Sequence, residues 1–214
     1  VIVTGRRAAL RHPWRIVALA VFAGAVSWVV AVQEPVPAWE LAITARANRV
    51  PAWGATALVP AMQVGTLAAP VLVALVIVVV RRDLLLAAGV AVGGWLVWLG
   101  AKVVKEAVER GRPAAFDPGI VVREPSADGF GYISGHSAVS MFTMVVVAAL
   151  VPARWRPVAV GVAVVVGCAR MVHGVHLPAD VVGGWAFGAL GAVALLALVG
   201  VEDPGEAVAP STTP

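Results

Sequence analysis

The chain has 214 residues, 60% hydrophobic and 13% charged, with a mean hydropathy of +0.91. Soluble domains hold roughly 45–50% apolar residues, so a membrane protein is the first reading. The formal net charge of +4 is scattered between apolar blocks rather than gathered on one polar face, which argues against a nucleic-acid surface, and a single cysteine, Cys168, excludes an intramolecular disulfide and a cysteine metal site.

In chain order, Arg6, Arg7, Arg11 and Arg15 precede an apolar stretch over 16–32. A secretory signal peptide shares that pattern, but its apolar region is about 7–15 residues long and ends in small residues. Here Gln33-Glu34-Pro35-Val36-Pro37 follows, so a retained first span is expected. From Trp39 to Arg49 apolar residues recur at helical spacing, which fits either a short helix lying at the interface or a tethering loop. Apolar stretches at 58–80 and 84–104 give the second and third spans, with Pro60 and Pro70 as kink points in the second. Stretches at 137–151 and 158–172 are short for a hydrocarbon core of about 30 Å, so their helices are expected to extend into flanking residues; 181–201 gives the sixth. The expectation is an all-α polytopic membrane protein, a bundle of six transmembrane helices over residues 1–201, with a disordered tail rich in Pro, Ser, Thr and acids over 202–214.

Cytoplasmic loops carry the excess of Lys and Arg. With the N-terminus inside, Arg6, Arg7, Arg11, Arg15, Arg81, Arg82, Arg154 and Arg156 are cytoplasmic, against Arg46, Arg49, Lys102, Lys105, Arg110, Arg112, Arg123 and Arg170 outside, so the totals tie at eight. The outer basics sit among Glu40, Glu106, Glu109, Asp117, Glu124, Asp128 and Asp180, whereas the inner clusters have few acids nearby. Both termini are therefore expected in the cytoplasm, with the third-to-fourth and fifth-to-sixth connections facing outward across a plasma membrane.

Those two connections hold nearly all the unusual polar residues. Lys105 and Arg112 are seven apart, so a helix continuing past Val104 puts both cations on one face. Such a pair either grips a phosphate or snorkels toward lipid headgroups. Ser134-Gly135-His136 directly precedes the fourth span, with Ser134 placed as a cap and the free N–H groups of a helix start facing an anion; alone, the triplet reads equally as a turn. His176 and Asp180 are four apart, so one helical turn brings the carboxylate to the imidazole. The Asp then fixes the tautomer and leaves the other ring nitrogen free to attack, unless the pair is only a helix cap. Pro178 suits the first turn of the last helix, and His173 reads as a solvated loop histidine.

Together these pieces resemble the type 2 phosphatidic acid phosphatase (PAP2) family. Lys105, six residues, then Arg112-Pro113 is similar to its first motif; Ser134-Gly135-His136 to the end of its second; and Arg170, five residues, His176, three residues, Asp180 to its third. The resemblance runs from about Lys102 to Asp180. Two positions depart from it: Ile133 stands where the family has Pro, and Ala169 where it has Ser.

The resemblance implies a membrane lipid phosphatase of bacterial type, with His176 as nucleophile, Asp180 orienting it, and His136 protonating the leaving oxygen and then activating water. Lys105, Arg112, Ser134, Gly135 and Arg170 would hold the phosphoryl group. No metal or cofactor is expected, and the partners are the bilayer and a lipid phosphate. The candidates are a polyprenyl diphosphate such as undecaprenyl diphosphate, phosphatidic acid, phosphatidylglycerol phosphate and a polyprenyl phosphosugar phosphate; a composition rich in Ala, Val, Gly and Arg, pointing to a GC-rich bacterial genome, favours the first. A phosphotransferase using the same phosphohistidine and a noncatalytic lipid-phosphate carrier are the alternatives.

Overall fold

The computed structural model describes residues 12–124 and 128–200, all helix, turn and loop. Arg6, Arg7, Arg11 and the tail over 202–214 lie outside the described residues. Helix α1 (Pro13–Ala31) opens on a proline in its first turn, where a missing N–H costs nothing. Helix α2 (Ala38–Asn48) settles the Trp39–Arg49 segment as a helix rather than a loop. It buries Glu40, Thr44 and Asn48, one polar stripe at four-residue spacing, and leaves Trp39 and Ile43 exposed. The polar stripe faces protein and the apolar one faces outward, as suits a helix lying against a bilayer.

The stretch expected as the second span is broken. Helices α3 (Ala52–Ala57) and α4 (Val59–Met62) and a short 3₁₀ turn (Gln63–Gly65) meet α5 (Ala68–Arg81) at a bend of 57°, with Pro60 in the first turn of α4 and Pro70 near the start of α5. Asp83 then caps α6 (Leu84–Val108), its carboxylate accepting from Leu86 N at 3.0 Å. At 1.5 Å per residue the 25 residues of α6 run about 37 Å, longer than a hydrocarbon core of about 30 Å. It is thus long enough for its last turns, which carry Lys105, to reach the boundary.

Helix α7 (Pro113–Phe116) is a single turn; α8 (Gly135–Leu150), α9 (Arg156–Val172) and α10 (Pro178–Val199) follow. Among the described residues, four helices are long and apolar enough to cross a membrane, five if the bent pair counts as one. At 16 residues α8 is too short to qualify by itself. It is also the most enclosed, packed by α5, α6, α9 and α10, so it needs no lipid-facing length. Helix α10 lies chiefly against α8 and α1, and its contact with α8 is close because Gly184 and Gly188 have no side chains. A Cβ at Gly188 would stand 2.1 Å from the Ala138 carbonyl oxygen, and one at Gly184 2.5 Å from that of Ser134. Small residues four apart permit this approach between membrane helices.

Candidate active site

Three helix ends converge on one open cavity of about 630 Å³, lined among others by Lys105, Arg112, Gly135, His136, Arg170 and His176. Lys105 reaches it from α6, Nζ donating to the carbonyls of Phe130 at 2.9 Å and Gly131 at 3.0 Å. Arg112 arrives differently from expectation. The helix stops at Val108, with Glu109 in the left-handed region at φ 52°, so no shared helix face joins the two cations. Arg112 is instead tied by its Nε to Gly129 O (3.1 Å) and by its two terminal nitrogens to Val175 O (3.0 Å) and Asp128 O (2.9 Å). The loop over 128–131 thus supplies carbonyls to both cations, which the seven-residue spacing alone could not do.

Ser134 is the N-cap of α8 and is fully buried. Its Oγ accepts from Ser137 N at 3.3 Å and from the Ser137 hydroxyl at 2.9 Å, and it does not line the cavity. Gly135 and His136 do, and as first-turn residues their N–H groups have no carbonyl partner within the helix. A Cβ built on Gly135 meets nothing within 4 Å, while one on Gly65 would stand 2.8 Å from His136. The break in the second span therefore seats bare backbone against His136.

His176 lies just before α10, whose first residue is Pro178, as expected. Its Nδ1 faces Asp180 Oδ2 at 3.4 Å, and the same oxygen accepts from Leu177 N at 2.8 Å. The carboxylate is fully buried behind the imidazole, away from the cavity lining. Burial first, then the charges of Lys105, Arg170 and Arg112, holds the His176 imidazole well below the usual histidine range, so the ring stays neutral and keeps a lone pair.

Arg170, near the C-terminal end of α9, is buried and pairs with Glu124, while its Nε has no hydrogen-bond partner among the described residues. Burial opposes ionisation of Glu124, but the hydrogen bond and ion pair with Arg170 outweigh it and hold the carboxyl below its usual range. Ala169, in place of the family's Ser, is fully buried.

A second expectation is corrected, that of His173. His173 is buried rather than solvated, with Nε2 bonded to the Ala55 carbonyl at 3.0 Å; that bond ties the end of α9 to α3 and offsets the cost of taking a polar ring out of water. It does not line the cavity.

Sequence reasoning passed over three carboxylate or guanidinium groups here: Glu124 in the cavity wall, Arg110 donating to Asp180 Oδ1 at 3.0 Å, and Glu40 paired with Arg110. For Arg110 the available signal was a second arginine two residues before Arg112 in a loop; for Glu40, a lone acid on the polar stripe of α2.

The sequence profile of the PAP2 superfamily matches residues 82–203. A solved structure, described as the first transmembrane PAP2 type phosphatidylglycerolphosphate phosphatase from Bacillus subtilis, superposes with a TM-score of 0.62, covering 89% of this chain and 94% of that one at 22% identity. At that identity the likeness is one of fold. None of the curated proteins matches the chain. With helices that cross a membrane several times and a profile match over more than half its length, the chain is a multi-pass membrane protein of the PAP2 superfamily.

Proposed function

We propose that the protein is a lipid phosphatase that works through a phosphohistidine on His176. The observation that carries this reading is the convergence of His136, His176, Lys105, Arg112 and Arg170 on one cavity, with Asp180 behind the His176 ring. With Nδ1–H directed at Asp180, His176 Nε2 attacks phosphorus in line as the bond to the lipid oxygen breaks, and His136 gives that oxygen its proton. Water then attacks the phosphohistidine with His136 as base. Lys105, Arg112, the unpaired Nε of Arg170 and the N–H groups of Gly135 and His136 stabilise charge on the phosphoryl oxygens. Ser134 serves by capping the start of α8, two residues before His136. These cations supply the charge stabilisation, so the mechanism needs no metal.

The six apolar stretches are read as six spans over residues 1–201, followed by the disordered tail over 202–214. Both termini lie in the cytoplasm and the site faces outward from the plasma membrane. Five of the eight outer basic residues, Lys105, Arg110, Arg112, Arg123 and Arg170, bond carbonyls or carboxylates of the outer loops, which removes them from the topological count and favours this orientation. A headgroup site at the end of α6 suits a lipid whose tail stays in the bilayer. A polyprenyl diphosphate is the favoured substrate, with phosphatidylglycerol phosphate, the substrate in the neighbour's description, and phosphatidic acid as the other members of the class.

The test is phosphate release from a panel of these three lipids by purified protein in detergent with EDTA, wild type against His176→Ala. Release is expected from at least one lipid, undiminished by EDTA and lost in the variant. Undiminished release by His176→Ala removes the nucleophile, and loss in EDTA removes the metal-free mechanism.

A further inference from the structure

Glu40 is fully buried and Arg110 only 5% exposed. They come from α2 and from the turn after α6, and neither lines the cavity. Arg110 nevertheless joins the α2 carboxylate to the one behind the His176 ring. Nη1 donates to Asp180 Oδ1 at 3.0 Å, Nη2 pairs with Glu40 Oε2, and Glu40 Oε1 accepts from Ala179 N at 2.8 Å. Asp180 Oδ2 is left for Leu177 N and His176 Nδ1. The Arg110 carbonyl also accepts from Gly131 N at 2.7 Å, in the loop that holds Lys105.

Buried ions are costly unless paired and hydrogen-bonded, and here each carboxylate oxygen has a donor. The charges also have a consequence. An Asp180–Arg110 pair alone would be neutral and would offer little to a cation beside it. Glu40 takes up the second arm of Arg110, so the buried triplet carries one net negative charge, placed where His176 turns cationic as its Nε2–phosphorus bond forms and Nδ1 keeps its proton. Arg110, by occupying Oδ1, also determines which carboxylate oxygen faces the ring.

We infer that Arg110 and Glu40 are positioning residues for the phosphoryl-transfer step, Arg110 by orienting Asp180 and Glu40 by preserving the negative charge that Asp180 presents to His176. The inference rests on the reading of His176 as nucleophile. It makes α2, a helix at the membrane surface, part of the support of the active centre.

Two conservative variants test it. Glu40→Gln keeps the shape and the acceptor for Ala179 N but removes the charge; Arg110→Lys keeps the charge but loses the second arm. On the lipid that wild type hydrolyses, kcat is expected to fall about 10- to 100-fold in each, as for other residues that orient a reacting group from behind. KM and the inhibition constant of inorganic phosphate should stay within about threefold. Adding Glu40→Gln to Asp180→Asn is expected to lower the residual turnover by less than about twofold, because both act through one carboxylate. The inference is overturned by wild-type kcat in both variants, by an equal fall of kcat in the wild-type and Asp180→Asn backgrounds, or by loss of phosphate binding along with kcat, which marks scaffolding alone. His176→Ala run alongside separates the two levels. If it still releases phosphate the nucleophile reading fails, whereas if it is inactive while the other variants turn over normally, only this inference fails.

Discussion

Asp180→Asn preserves the shape of the side chain but presents an amide where His176 needs an acceptor. By the behaviour of catalytic triads, turnover is expected to drop about 10³- to 10⁴-fold, with KM within a few-fold, since Asp180 does not line the cavity. Unchanged turnover in a steady-state assay removes its orienting role. The pH profile follows from the direction of the His176 shift. In the proposed mechanism attack needs the neutral ring, and a pKa held below the usual histidine range keeps it neutral on the acid side. The acid limb of kcat/KM that belongs to His176 is therefore expected below about pH 6.5. Lys105→Met removes a positive neighbour that depresses this pKa, so the inflection should move to higher pH, whatever the loss in rate; a shift to lower pH contradicts the electrostatic account. At this scale the sequence was legible where partners are close along the chain. His176 and Asp180 are four apart and were found by spacing, but Glu40 meets Arg110 from 70 residues away, and no periodicity reports such a pair. Removing Arg110 outright would leave two buried carboxylates without their shared cation, at a cost of about 3–5 kcal/mol, which is why truncation to alanine would not separate catalysis from folding.

Helices α8 and α10 carry His136 and Asp180, and their spacing depends on Gly184 and Gly188. Gly188→Leu puts a side chain where even a Cβ would stand 2.1 Å from a backbone carbonyl, so the two helices must separate. Overpacking of this kind costs typically about 1–3 kcal/mol, and here it also moves His136 relative to His176. The expected result is a lower midpoint of thermal unfolding in detergent and at least about 10-fold lower kcat. Wild-type values for both would show that the contact is not needed. Element starts were largely legible: Pro178 in α10, Ser134 as the cap of α8 and the kinking prolines of the second span all follow from local chemistry. The end of α6 was not, because residues 105–109 have ordinary helix-forming side chains and nothing in their spacing marks the left-handed turn at Glu109. The polar stripe of α2 was legible as periodicity but not as a direction, since the sequence does not say that the polar face turns inward.

At the scale of the whole molecule, the orientation reading has a direct check. In a Cys168→Ser background, Val121→Cys lies on the exposed loop before α8 and Arg154→Cys on the connection between α8 and α9. A membrane-impermeant maleimide applied to intact cells is expected to label the first and not the second, and the reverse pattern removes the outward-facing site. Six apolar blocks were readable from composition, but α8 is too short to be recognised as a span by length, because it is sheltered by its neighbours rather than by lipid.

The break in the second span has a kinetic meaning. Its turn over 65–67 lines the cavity beside Trp98 and Ala101 of α6, so the wall between these two elements is formed partly by a bend rather than by two full-length helices. For the lipid phosphate proposed above, a headgroup arriving there would slide in sideways while its chains remain among other lipids. On that reading the protein meets its substrate as a two-dimensional solute, and at fixed bulk lipid its rate should follow the mole fraction of phosphorylated lipid in the micelle or bilayer. Diluting the membrane with inert lipid would slow it as surely as lowering the substrate.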